Sequence, residues 1–380
     1  MDFQLTEEQK MIQQAARDYA NRELIQDVLE RDADSIYPAK HVKALADLGF
    51  MGMMVDPKYD GSGMDTISYV LAMEELSKVD ASVSVIVSVN NSLVCYGLEE
   101  FGTEEQKEKY LRPLARGEML GAFLLSEPEA GSDATSQHTL AEDMGDYYLL
   151  NGTKNWITNG NSASVYIVMA QTHPELKHKG INSLIVDRNS PGITLGPHED
   201  KMGMRSSDTH SVMFTDVKVP KENRLGPDGF GFKMAMKTLE GGRLGIAAQA
   251  LGIASGAYER ALKYSKERKA FGTEIFNHQS VAFKLAEMYT KIEAGRLLCF
   301  HAAWLKDNGL PYGTASAMAK YHCAETAMWV TTEAVQIHGG YGYVREYHVE
   351  RLMREAKLTQ IYEGTSEIQK LIISRDIFSR

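Results

Sequence analysis

The chain has 380 residues, a formal net charge of −10 and three cysteines. That length exceeds one ordinary core and implies two or three domains, and the acidic balance leaves no basic footprint for nucleic acid or an anionic membrane surface, although a local basic patch can still hold an anionic ligand. Cys95, Cys299 and Cys323 are odd in number and lack C-x-x-C spacing, so neither a disulfide framework nor a zinc site is indicated and a reducing compartment fits.

The chain opens directly into Thr6-Glu7-Glu8-Gln9, a capping-box pattern, with no basic-then-apolar leader before it. This reads as a cytoplasmic protein, or a mature organelle-matrix one. From Thr6 to about Ala115 the period is helical: Ile12, Ala16 and Tyr19 share a face, and Thr103 with Gln106 repeats the capping box. Breaks are expected at Asp56-Pro57 and Gly61-Ser62-Gly63. The uncharged run 81–98 carries Ser84, Ser88, Asn90, Asn91 and Ser92, which makes it a costly membrane span and a better buried or pocket-lining element. Within it, residues 83–89 read as strand by their β-branched content and as helix by length and context.

Between Leu120 and about Pro220 the texture changes to short strands. Two strand-like runs, 147–150 and 153–158, flank Asn151-Gly152, which predicts a hairpin turn because both residues accept positive φ. Further strands are expected at 165–171, 181–186, 192–195 and 211–219, separated by Gly, Pro, Asn and Asp. That spacing reads as a small barrel or sandwich.

After Pro227-Asp228-Gly229 the helices return and are long. Leu244, Ala247, Leu251, Ala254, Tyr258 and Ala261 step by three and four; so do Val281, Leu285, Met288, Ile292 and Cys299, with Gly295 filling the phase, and Ala317, Tyr321, Ala324, Met328, Thr331 and Val335. Three such stripes plus a C-terminal helix predict a four-helix bundle.

Six stretches can carry chemistry. Gln360-Ile361-Tyr362-Glu363-Gly364-Thr365-Ser366-Glu367 holds a carboxylate between an aromatic ring and a glycine, just before a helix start at which Ser366 and Gln369 form a capping-box pattern. On these residues alone Glu363 reads equally as a glutamate favoured by a helix N-terminus. Residues 123–133 end an apolar strand in a turn rich in small and polar side chains, able to set hydroxyls and amides against a polar ligand, or simply to leave the strand. In Lys154-Asn155-Trp156-Ile157-Thr158 the indole and the threonine hydroxyl fall on one side of a strand, where Trp156 can cover a flat ring or fill a core. Arg268-Lys269-Ala270-Phe271-Gly272, with Gln279, and Gln336-Ile337-His338-Gly339-Gly340 offer a planar donor fork and paired glycines, or helix C-termini. Finally, Arg243 in Leu239-Glu240-Gly241-Gly242-Arg243 can meet an anionic or polar group, or form a surface ion pair.

Taken together, these stretches closely resemble the acyl-CoA dehydrogenase family, over essentially all 380 residues. The resemblance implies an α+β multidomain fold: an N-terminal α-helical domain at 1–119, a middle small antiparallel β-barrel or sandwich at 120–226, and a C-terminal four-helix bundle at 227–380. It also implies helix at 83–89. Glu363 would be the catalytic base, with no metal. FAD contacts would come from Phe123, Leu125, Ser126, Ser132, Trp156, Ile157, Thr158, Arg268, Phe271, Gln279, Gln336, Gly339, Gly340, Thr365 and Glu367. Substrate contacts would come from Ser132, Glu240, Arg243, Tyr362 and Gly364. Some relatives place the base just before the arginine of the Glu-Gly-Gly-Arg stretch; here that position is Gly242, which leaves the base to Glu363. His338 stands where relatives often carry an apolar residue, and no role follows for it.

The implied reaction is FAD-dependent α,β-dehydrogenation of a short-chain, butyryl-CoA-like acyl-CoA to the trans-2-enoyl-CoA. Electrons would pass to electron-transfer flavoprotein, and the assembly would be a homotetramer, a dimer of dimers, with FAD near a subunit interface. Branched short acyl groups, an acyl-CoA oxidase and a non-enzymatic flavin- or CoA-binding scaffold stay open. No G-x-G-x-x-G, P-loop, G-x-S-x-G or H-E-x-x-H occurs, so the chemistries those motifs serve have no support.

Overall fold

The computed structural model describes residues 4–379; residues 1–3 and 380, the outer ends of the expected domain bounds, lie outside the described residues. Eight α-helices come first: α1 (Glu7–Tyr19), α2 (Ile25–Asp34), α3 (Ala39–Asp47), α4 (Thr66–Ser77), α5 (Ala81–Ser88), α6 (Tyr96–Phe101), α7 (Glu104–Gln106) and α8 (Arg112–Ala115). Both expected capping boxes form, at Thr6 with Gln9 and at Thr103 with Gln106. The run that was ambiguous between strand and helix is helical throughout, because α5 continues through a π-helical stretch, Val89–Cys95, into α6. Among the described residues, Ala81–Phe101 is the one helical stretch long and apolar enough to cross a membrane, and 94% of its apolar window is buried inside the fold.

The β region holds β1 (Gly121–Leu124), β2 (Leu140–Asp143), β3 (Tyr147–Thr158), β4 (Val165–Gln171), β5 (Ile181–Asp187), β6 (Ile193–Leu195), β7 (Thr209–Pro220) and β8 (Arg224–Leu225). They form one sheet in the order β6-β7-β3-β2-β4-β5-β8, with β1 beside β4. Most pairs are antiparallel; β1 and β2 meet β4 in parallel.

The expected hairpin at Asn151-Gly152 is not there. β3 runs straight through both residues, and the register against β7 shifts between Leu150 and Gly152. The turn signal is used for a bulge instead: Asn151 clasps Asp216 on β7 through Nδ2 to Oδ1 at 3.1 Å and accepts the Asp216 N–H at 2.8 Å. Gly152 takes φ +145 where a Cβ would stand 2.7 Å from the Thr139 Cα. The true connection into β3 lies at Met144-Gly145-Asp146, where Gly145 has φ +91.

The C-terminal region opens with α9 (Gly231–Glu267), 37 residues long, followed by a tight hairpin of β9 (Lys269–Ala270) and β10 (Thr273–Glu274) with Phe271-Gly272 at its tip. Then come α10 (Gln279–Asp307), α11 (Gly313–His338), α12 (Val349–Thr359) and α13 (Ser366–Ser379). The last bundle element is therefore two helices, α12 and α13, separated by a turn that contains Glu363. On α11 the buried face is wider than the expected stripe: Ala317, Ala324 and Thr331 are buried as expected, Ala319, Lys320, Cys323, Ala327, Val330 and Ala334 are buried as well, and Tyr321, Met328 and Val335 are half-buried.

Helices from before and after the β region share one apolar core, in which Leu76 and Ile86 join Leu251, Ile292 and Leu352; the sheet has a second core around Tyr148, Leu150, Tyr166 and Phe214. Burial of this kind is the main favourable term in folding. The sequence-distant Cys299 and Cys323 approach to 3.7 Å between α10 and α11, both free and buried.

Candidate active site

The turn between α12 and α13 sets Glu363 in an unusual conformation. Glu363 has φ +50 and Gly364 φ +92, two successive left-handed residues. Glycine accepts that region freely, but a glutamate there costs about 1–2 kcal/mol, so surrounding contacts must hold it. They do: Ser366 N–H donates to the Gln360 carbonyl at 3.0 Å, and the Gln369 side-chain amide donates to the carbonyls of Glu363 at 3.3 Å and Gly364 at 2.8 Å. Lys320 Nζ reaches the same Gly364 carbonyl at 2.7 Å.

The capping box expected at Ser366 and Gln369 does not form, and a single N-cap bond stands one residue earlier. Thr365 Oγ1 accepts the Ile368 N–H at 3.3 Å, while the Ser366 hydroxyl donates to Glu325 at 2.6 Å and the Gln369 amide serves the turn. Glu325 also accepts from Gln360 at 2.8 Å, so α11 clamps both ends of the connection.

The Glu363 carboxyl points into the protein. Its Oε2 is buried with no hydrogen-bond partner among the described residues. Burial pushes the group up to about 7, against the pull of Lys320 and Arg243. A half-buried carboxyl whose inward oxygen has no donor is a base whose proton affinity suits neutral pH. Gly242 on α9 makes the space: a Cβ there would stand 2.2 Å from Glu363 Oε2. The two positions the sequence singled out as alternative homes for the base are thus in contact, and a side chain at 242 and the carboxyl of Glu363 exclude one another.

Arg243 is buried beside them, with an unpartnered Nε, and is not the surface ion pair that was the alternative. Glu240, one turn earlier, is half-buried and pushed up by burial against the charge of Arg243. Tyr362 donates its hydroxyl to Gln249, which in turn donates to the Ala81 carbonyl at 2.9 Å and Ser84 Oγ at 2.8 Å. The polar residues of the uncharged run therefore anchor the turn from behind.

A second group forms on the sheet. Asn155 N–H donates to the Ser126 carbonyl at 2.9 Å, which joins the end of the strand carrying Phe123, Leu125 and Ser126 to the strand carrying Trp156 and Thr158. Simple alternation does not place Trp156, because the register slips between Lys154 and Ile157 and Trp156 takes φ +61. That bulge turns the indole outward, 64% exposed, while Thr158 is half-buried. Ile157 packs its side chain into the β core, leaving only its backbone for a ligand. Ser132 is exposed on the following loop.

A third group lines an open cavity of about 410 Å³ that includes Arg268, Tyr264, His338, Gly339, Gly340 and Tyr341. A Cβ at Gly339 or Gly340 would meet nothing within 4 Å. His338 builds the wall: its ring stacks on Tyr264 at 4.4 Å and its Nδ1 bonds the Ala334 carbonyl at 2.7 Å. Phe271, Gln279, Gln336 and Glu367 are exposed outside this cavity, Phe271 at 98%.

Two lysines escaped the sequence reading. Lys320 and Lys154 are both fully buried. Lys154 Nζ donates to Glu127 at 2.8 Å, the Gln137 side chain at 3.0 Å and the Leu125 carbonyl at 3.1 Å, so it locks the two sheet segments together. The available signal for Lys320 was a lone cation among small apolar residues at helical spacing, which is costly unless paired.

Comparison with known proteins follows the same three regions. The acyl-CoA dehydrogenase N-terminal domain model matches residues 6–118, the middle domain model 122–217 and the C-terminal domain model 229–378. The chain is 48% identical to the short-chain specific acyl-CoA dehydrogenase of Clostridium acetobutylicum, over 100% of both. Among solved structures it resembles butyryl-CoA dehydrogenase from Megasphaera elsdenii, at TM-score 0.98 and 48% identity with 100% of each chain covered. It also resembles a chain from a structure of the electron transferring flavoprotein of Acidaminococcus fermentans, at TM-score 0.99 and 50% identity, again with 100% of each chain covered.

Proposed function

The chain belongs to the acyl-CoA dehydrogenase family, and from that premise we propose that it converts a short-chain acyl-CoA to the trans-2-enoyl-CoA with Glu363 as the base. The observation that carries this reading is the buried Glu363 carboxyl, with Oε2 unpartnered and its proton affinity raised to about 7.

The residues fit FAD. Trp156 bares an indole from a conformation a bulky side chain adopts only under constraint, and the cavity at Arg268 sets a cation beside glycines whose Cβ positions open on empty space. In this reading Phe123, Leu125, Ser126, Trp156, the Ile157 backbone and Thr158 hold the ring, with Ser132, Thr365 and Glu367 at its approaches. Arg268, Phe271, Gln279, Gln336, Gly339 and Gly340 would reach the diphosphate end of a neighbouring subunit's FAD. When bound, FAD supplies the hydride acceptor for the β-carbon, which no side chain can provide.

The chain's own residues do the rest. Glu363 takes the α-proton on Oε2, an oxygen that no protein donor occupies among the described residues. The Glu363 backbone N–H donates to no protein acceptor among the described residues, which leaves it free to hold the thioester oxygen as negative charge develops there. Gly242 keeps the carboxylate's space clear, Tyr362 and Gly364 flank the acyl group, and Arg243 with Glu240 meets the polar part of the coenzyme. Electron-transfer flavoprotein would be the acceptor of the electrons. The three-part division at 1–119, 120–226 and 227–380, a cytoplasmic setting and a homotetramer complete the reading; Phe271 and Tyr343, 98% and 86% exposed, are aromatic surfaces suited to cover by another subunit.

The test is anaerobic bleaching of the yellow protein by butyryl-CoA. Glu363→Gln should keep its FAD and lose bleaching by about 10²–10⁴-fold; a variant that bleaches at the normal rate removes Glu363 from the role.

A further inference from the structure

Lys320 has no part in the reaction as described, yet it is the buried cation nearest to its base in effect. A lysine with 0% exposure is costly unless its ammonium finds acceptors and an opposite charge. Among the described residues the Lys320 ammonium has one hydrogen bond, to the carbonyl of Gly364 at 2.7 Å. The Gln369 side-chain amide meets the same oxygen at 2.8 Å. Two donors from different helices, α11 and α13, therefore converge on the peptide that ends the left-handed pair Glu363-Gly364.

We propose that Lys320 is a positioning residue for the base: its ammonium, fixed on the Gly364 carbonyl, holds the strained turn in place and supplies the counter-charge that lets Glu363 ionise. This rests on Glu363 being the base.

The charges around the pair make Lys320 the specific choice. Lys320 and then Arg243, from α11 and α9, are the cations that lower Glu363. Tyr69 on α4 and Tyr362 beside it feel its charge as well. Arg243 is shared, because Glu240 is the first opposite charge acting on it and Glu363 the second. Lys320 feels Glu363 as its leading opposite charge, ahead of Glu325 and Glu367, with Arg243 opposing. Burial pushes Lys320 down to about 8, above the value of about 7 for Glu363, so the ammonium form predominates at the midpoint of the Glu363 titration.

The direction follows directly. Removing a nearby cation favours the protonated carboxyl, so the base needs a higher pH to act. The experiment uses the FAD-loaded enzyme with Lys320→Gln, which keeps a donor but loses the charge, and Lys320→Met, which loses both. Two readings are taken: the pH dependence of anaerobic bleaching by butyryl-CoA, and the titration of the Glu363 carboxyl carbon by ¹³C NMR without substrate, assigned with Glu363→Gln. Both variants should move the acid limb and the NMR midpoint upward by roughly one pH unit, about tenfold in the protonation ratio, and Lys320→Met should also lower the high-pH plateau. Unmoved midpoints in a Lys320→Gln enzyme that retains FAD overturn the inference, whether or not Lys320→Met folds. If Glu363→Gln itself bleaches normally, the base assignment has failed instead, and Lys320 with it.

Discussion

Two glutamates in this chain, buried Glu127 and half-buried Glu363 with its Oε2 turned inward, stand near buried lysines, and they end in opposite states. Glu127, in the sheet region, accepts from Lys154 Nζ at 2.8 Å, Thr139 N–H at 3.0 Å and His138 N–H at 2.5 Å. Burial pushes its carboxyl up, but the Lys154 charge and these donors outweigh that and hold it below the usual carboxylate range. Burial draws Lys154 the other way, to about 8; its three donors all have acceptors, so the geometry is that of an ion pair. Glu363 has a lysine near it but no donor on Oε2, and its carboxyl rises to about 7. Burial alone does not make a carboxylate reactive; what decides is whether its lone pairs are already spoken for. One site is a staple between two strands, the other a base held ready.

The contrast can be broken from either side. The largest structural effect is expected from Lys154→Met, which leaves Glu127 ionised and unpaired in the interior and should cost about 3–5 kcal/mol by urea unfolding. Adding Glu127→Gln should return part of that loss, which a loss from packing alone would not allow. Next is Gly242→Ala, where the new methyl meets the flexible ends of Glu363 and Leu93 at 2.2 and 2.7 Å rather than backbone. The carboxylate must move, so kcat should fall by about 10²-fold while FAD content and Tm change little.

A smaller effect runs opposite to the usual direction. Because the folded-state carboxyl of Glu363 sits near 7 against an ordinary 4.5, the folded protein binds more protons than the unfolded chain across that window. Its contribution therefore lowers stability as pH rises from about 4.5 to 7. Glu363→Gln should stabilise the protein by roughly 1–3 kcal/mol at pH 8, with the gain fading toward pH 4. A variant no more stable at pH 8 than the parent would place Glu363 with Glu127, as a satisfied carboxylate.

Much of this was legible in the sequence where the signal is local. The capping boxes at Thr6 and Thr103 need only a side chain to reach three residues along a helix, and both form. The strand 165–171 appears with the expected bounds, since an apolar run between turn residues has few other uses. Local signals also failed where their chemistry had a second outlet. Asn151-Gly152 has the positive-φ tolerance of a turn, but β7 offered Asp216 as a partner and the pair became a bulge inside a longer strand. Ser366 has a capping side chain, but Glu325 on α11 took its hydroxyl and Thr365 capped instead.

The residue types at 363, 242 and 320 were written in the chain, as were the helical periods that carry two of them. Their meaning was not: a carboxyl's proton affinity depends on which lone pairs find donors and which charges share its low-dielectric surroundings, and those neighbours come from α9, α11 and α13. Only the packing of those helices put Gly242 against Oε2 and Lys320 behind the turn, because contacts across a core are set by the fold as a whole and leave no short-range trace in the sequence.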